Sequence, residues 1–287
     1  MLIATTIFVS LLSAMSRASL NLFDRVLLKQ ADNSVLFVSL LNNLIPLIFV
    51  VPYSLLVYDW SAFQIFASLN IWLIAASIQF NALLFGYGFK KLTVGEVALW
   101  SKIPDITLPF IFLLIGFQTS SVDLAFSLAT TCVLAAFYFA FGAVSLKQRA
   151  GWVIFCAVTL HAVFSYSLIQ SSVSTLEQSI LLSFCIIMIR SVYTLVLMLP
   201  RLFKGIAFAP LEGRMVLGRG FFALLTQVTF IYALSLGNPV LSWSIFNMTS
   251  LLSTLMAHYL LDEKPTRADY YVLASLTLIV SLRLFFN

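Results

Sequence analysis

Long apolar runs alternate with short polar breaks along the whole chain, at about 3–24, 35–57, 69–89, 95–116, 122–144, 151–170, 178–199, 218–237, 239–261 and 268–286. Each run is close to the twenty helical residues that cross about 30 Å of hydrocarbon. A membrane barrel would instead show strands of about ten residues alternating apolar and polar positions. The pattern therefore predicts an all-α membrane protein of ten transmembrane helices. The segment 59–68, which carries Trp60, reads as an interfacial helix, and 201–219 is the one long loop.

Composition agrees with this reading and narrows it. Of 287 residues 61% are hydrophobic and 9% charged, with a mean hydropathy of +1.04. About 25% charged is usual for soluble domains. No linker rich in Pro, Ser or charge separates a soluble second domain. Cys132, Cys156 and Cys185 all fall in apolar runs, where a thiol behaves as a small hydrophobe, so neither a disulfide nor a metal framework is expected. The first sixteen residues lack a basic start and a small-residue cleavage site, so they read as a retained first helix. No cofactor is expected.

Twelve of the sixteen Lys and Arg form five clusters: Arg25 and Lys29; Lys90 and Lys91; Lys147 and Arg149; Arg201, Lys204, Arg214 and Arg219; Lys264 and Arg267. Consecutive clusters are separated by enough chain for two crossings, which puts all five on one side. The opposite loops, 58–68, 117–122 and 171–177, carry no Lys or Arg. Short basic loops stay cytoplasmic. The expectation is a bacterial inner-membrane protein with cytoplasmic basic loops and both termini outside.

The halves repeat weakly at an offset of 145 residues, which lays Tyr87 on Tyr232 and Lys102 on Asn247 and sets His161 beside the image of Arg17. This divides the chain into 1–146 and 147–287. Five helices per half is odd, so the second half enters from the other side. Inverted repeats of this kind occur in transporters that alternate access around a midplane site.

Tyr232-Ala-Leu-Ser-Leu-Gly-Asn-Pro-Val, then an apolar helix ending Tyr259-Leu-Leu-Asp-Glu-Lys-Pro-Thr, then a final apolar helix resembles the drug/metabolite transporter superfamily, in particular its ten-helix EamA-type members. The resemblance makes Glu263 the signature acid. In the first half Tyr87-Gly-Phe-Lys-Lys-Leu-Thr fits the same turn, but Gln118 stands where the acid is expected. The tail, Arg283-Leu-Phe-Phe-Asn, also lacks the basic character common in the family. The resemblance implies two inverted five-helix repeats and transport of a small solute.

Ionisable groups within a bilayer are costly and usually face a protein interior or a water path. On the first helix Ser13, Arg17, Asn21 and Asp24 share one face, where Arg17 either meets a solute or else pairs with Asp24 or snorkels. Lys102 and Asp105 lie three apart on the fourth helix, which Pro104 and Pro109 interrupt, an arrangement that fits an ion pair beside a broken hydrogen-bond ladder. Glu96 lies near the entrance of the same helix. His161 and Arg190 add buried polar groups, and His258 reads as structural. Trp100, Trp243, Tyr87 and Tyr232 recur near polar residues in both halves, either as cation-holding faces or as interfacial belt residues.

These residues, with Asn21 and Asn247, make up the expected substrate site, and Asp105, His161 and Glu96 are the candidate proton carriers. The expected activity is secondary transport of a small polar metabolite, with an amino acid or organic anion favoured because Arg17, Lys102 and Arg190 outnumber the one deep acid, Asp105. An organic cation held by the aromatics and Asp105, and a passive channel, remain open on the sequence alone. A membrane enzyme does not fit, since neither paired Asp motifs nor a Gly-x-Ser-x-Gly turn occurs. The expected partners are the solute and the lipid bilayer, without nucleic acid.

Overall fold

The computed structural model describes residues 2–30, 34–114, 121–141, 149–169, 175–203, 213–236, 242, 245–246, 248–265 and 267–283. These residues include eleven α-helices: α1 (Leu2–Gln30), α2 (Val35–Val57), α3 (Leu69–Lys91), α4 (Val94–Trp100), α5 (Pro104–Leu114), α6 (Ser121–Phe141), α7 (Arg149–Ile169), α8 (Leu176–Phe203), α9 (Gly213–Ser235), α10 (Thr249–Leu261) and α11 (Arg267–Arg283). A 3-10 helix, Trp60–Ala67, fills the segment expected to lie at the interface. There is no strand among the described residues.

Five helices, α1, α2, α3, α8 and α9, are long and apolar enough to cross a membrane. The molecule also has the inside-out character of a protein solvated by lipid. Leu195, Val196 and Leu197 on α8 and Ile48, Phe49, Leu55 and Leu56 on α2 are exposed, whereas Asn43, Gln79, Ser183, Arg190 and Thr194 are buried. Soluble monomers rarely expose continuous apolar surface of this kind.

The expected helix 95–116 is divided. Ser101 N–H still donates to the Val97 carbonyl at 3.0 Å, but Lys102 N–H donates to Leu99 at 3.0 Å, tightening the last turn. Pro104 has no N–H to continue the ladder and instead occupies the first position of α5, where none is needed. At the other end of the chain, α10 closes on Asp262 in the left-handed region (φ 51°), and this turns the following residues back toward α1.

α1 packs chiefly on α9, α3 on α7, and α2 on α8; α2 also meets α9 and α3 meets α8. α10 lies against α1 and α4, α7 against α3, α4 and α5, and α6 against α11. Two glycines permit the closest approaches. A Cβ on Gly151 would overlap the Trp100 indole, and one on Gly220 would overlap Ile45. Small residues at such crossings let helix backbones meet where lipid provides no hydrophobic drive.

Candidate functional site

α1 turns Arg17, Asn21 and Asp24 inward on one face, as their spacing requires. α3 faces them with Asn81 and Phe85, α8 with Arg190, and α9 with Arg219, Thr226 and Gln227. Between them is a cavity of about 100 Å³ that runs from Arg190 and His161 at mid-helix toward Leu28, Val35 and Phe89. A second chamber of about 70 Å³ shares Arg17, Asn21 and His161 and extends to Ser101 and Ser250 between α4 and α10. Space on this scale, lined by polar groups, admits several waters or a small solute.

The charges in the first chamber do not balance. Asp24 is paired with Arg219 through both Nε and Nη2. Arg17 and Arg190 have no carboxylate partner among the described residues. The Arg17 guanidinium lies 5.9 Å from the centre of the Phe85 ring, within cation–π range. Arg190, 7% exposed, donates from Nε to Gln79 Oε1 at 3.1 Å and from Nη1 to Gln227 Oε1 at 3.3 Å. Both acceptors are neutral.

A rigid frame surrounds Arg190. Gln79 Oε1 also accepts Asn43 Nδ2 at 3.0 Å, Gln79 Nε2 donates to Ser39 Oγ at 2.8 Å, and Asn43 Nδ2 reaches Thr194 Oγ1 at 3.0 Å. The Thr194 hydroxyl donates back to the Arg190 carbonyl at 2.8 Å. Pro46 withholds an N–H from the Asn42 carbonyl one turn earlier, so the α2 wall is polar in its backbone as well as its side chains. His161 stacks on Phe230 with 5.8 Å between ring centres, and its Nδ1 is 3.5 Å from Ser77 Oγ.

A latch closes the basic end beyond the cavity. Glu263 accepts Arg25 Nε at 2.6 Å on one oxygen and the Val94 N–H at 3.0 Å on the other, while Arg25 Nη1 donates to the Phe89 carbonyl at 2.6 Å. His258 Nδ1 is 3.2 Å from the Glu263 carbonyl, consistent with a structural role.

Of the residues expected from sequence, Arg17, Asn21, His161 and Arg190 converge on the chambers. Lys102 does not: it is buried at the α4–α5 break and lines neither chamber. Trp100 is buried in the core, with its ring 5.4 Å from that of Trp152. Tyr87 is 40% exposed, and Tyr232 also lies outside both linings. Glu96 forms a capping box with Thr93 at the start of α4, where its carboxylate accepts the Thr93 N–H at 2.8 Å. Trp243, Asn247 and the side chain of Asp105 lie outside the described residues.

Two assignments change. Asp24 binds Arg219 rather than Arg17, because α9 is the main partner of α1. Arg219, counted with a basic loop, is 4% exposed inside α9. Sequence reasoning also passed over Asn42, Gln79, Asn81 and Gln227; amides interrupting apolar helices were the available signal.

No protein family and no curated protein matches the sequence. In fold the chain is similar to a protein known from a crystal structure, with a TM-score of 0.59 over 99% of this chain and 96% of that one, at 13% identity.

Proposed function

We propose that this protein is a secondary active transporter that moves a small polar metabolite, an organic anion or amino acid, across a membrane by alternating access. The observation that carries the reading is the polar chamber enclosed by α1, α2, α3, α7, α8 and α9, in which Arg17 and Arg190 hold buried positive charge with no acid beside them among the described residues. Unpaired buried charge is expensive, so an anionic solute offsets a cost the empty protein bears. Among the described residues an organic cation would meet three arginines and one already paired aspartate, and of the aromatics expected to hold it Trp100, Tyr87 and Tyr232 line neither chamber.

The helix packing supports two inverted five-helix halves, 1–146 and 147–287, as in the drug/metabolite transporter superfamily. Taking α4 with α5 as one crossing, and α10 as another, maps each helix of the first half onto one five crossings later. Contact of α1 with α9 then maps onto α7 with α3, α2 with α9 onto α8 with α3, and α1 with α10 onto α7 with α4 and α5. Ten crossings and cytoplasmic basic loops in a bacterial inner membrane belong to the same proposal.

For energy coupling we propose exchange or proton linkage, with His161 the carrier that lines the chambers; Asp105 keeps its candidacy from sequence, and Glu96 is tied into its capping box. Reconstituted protein should show saturable counterflow of a labelled organic anion, lost in Arg190→Gln. Non-saturable flux without counterflow would make the protein a channel, and transport of only cations would overturn the substrate class. Indifference to a pH gradient in wild type and His161→Gln would leave exchange as the coupling.

A further inference from the structure

We infer that the main chamber is built for a small organic anion with two negative charges and at least one hydroxyl group, as in a hydroxy dicarboxylic acid or a phosphorylated polyol. The inference rests on the proposed function only in taking the chamber as a solute site. Among the described residues three arginines line it against one aspartate, an excess of two positive charges before His161 is counted. Because Asp24 is committed to Arg219, the excess resides on Arg17 and Arg190. A guanidinium carries five N–H donors. Arg190 spends one on Gln79 and one on Gln227, and the frame around Gln79 fixes the direction of the rest.

The hydroxyl follows from the remaining polar atoms. Asn42 Oδ1 and Asn81 Oδ1 are buried in the chamber wall and accept no hydrogen bond from the described residues, while Gln227 Nε2, Arg219 Nη1 and the Thr226 hydroxyl donate none to them. The donors suit the oxygens of an anion. Once a solute displaces water from the chamber, the two amide oxygens need a donor on that solute, since a buried acceptor without one costs more than the bond itself contributes. An ammonium would also donate, but no uncommitted carboxylate among the described residues lines the chamber to balance its charge. A hydroxyl meets both conditions.

The test is calorimetric titration of the purified full chain in detergent with malate, glycerol phosphate, succinate, lactate and alanine. Malate, glycerol phosphate or both should bind about tenfold tighter than succinate, which lacks the hydroxyl, and than lactate and alanine, which lack the second negative charge. A preference between malate and glycerol phosphate identifies the headgroup and upholds the inference either way. Asn42→Leu with Asn81→Leu should bring malate down to the level of succinate and leave succinate unmoved, whereas Arg190→Gln should weaken every dianion. Because the wild-type protein alone ranks the ligands, the inference stands or falls on that ranking even where a variant fails to fold. Succinate equal to malate, lactate or alanine equal to malate, or no binding by any probe would overturn the inference. Counterflow of a monoanion with no dianion binding would overturn it and leave transport standing; the expected binding without counterflow would do the reverse.

Discussion

Glu263→Ala removes the acid at which α1, α3, α4 and the α10–α11 turn meet. Among the described residues Arg25 then keeps only the Phe89 carbonyl, and the Val94 N–H at the start of α4 loses its acceptor. Arg25 is 3% exposed and Glu263 18%. Breaking a fully buried pair costs about 3–5 kcal/mol because the surviving charge is left uncompensated. Water can reach the site from the Glu263 side, so the expected loss is lower, about 2–3 kcal/mol. Glu263→Gln keeps the shape and one acceptor oxygen but removes the charge and turns an NH2 toward a donor, so it should cost nearly as much, about 2 kcal/mol. Arg25→Met combined with Glu263→Ala buries no orphan charge and should be more stable than the sum of its single changes by about 1–3 kcal/mol. Equilibrium unfolding in detergent micelles, run on wild type and the variants under one condition, measures all of these. Glu263→Ala within about 0.5 kcal/mol of wild type, together with strict additivity in the double variant, would refute the latch.

Three further outcomes are expected. Gly151→Ala drives a methyl into the buried Trp100 indole and should lower stability by about 1–3 kcal/mol in the same unfolding assay; Gly213→Ala, with open space around it, is the control. Asp24→Asn leaves Arg219 an amide partner but raises the chamber's positive excess, so the affinity for a dianion should rise roughly fivefold while the thermal midpoint falls, read by titration and by scanning fluorimetry. Tyr58, just beyond the end of α2, donates its hydroxyl to the Glu177 carbonyl at 2.7 Å; burial first, then Tyr53 and Glu177, push its phenol up to about 12. A raised phenol favours the folded state below pH ~10 and loses that contribution as pH climbs toward the folded value, so the phenolate absorbance lost in Tyr58→Phe should titrate near pH 12.

The five long helices α1, α2, α3, α8 and α9 and their approximate ends were legible because lipid imposes a length and an apolar composition on each one separately. The 3-10 helix around Trp60 and the proline break before Pro104 followed from the same local rules. Arg17, Asn21, His161 and Arg190 were readable as candidates because a charge or an amide in an apolar run has to be satisfied from within. Which of these groups meet was decided by packing. Lys102 and Trp100 carry the same signals as Arg190 but face other neighbours, and the partner of Asp24 lies 195 positions away on α9. An ion pair or a chamber forms between helices, and its free energy depends on distance and on which faces are turned together. Helical periodicity states the face of one helix, but only the assembled bundle states what that face touches.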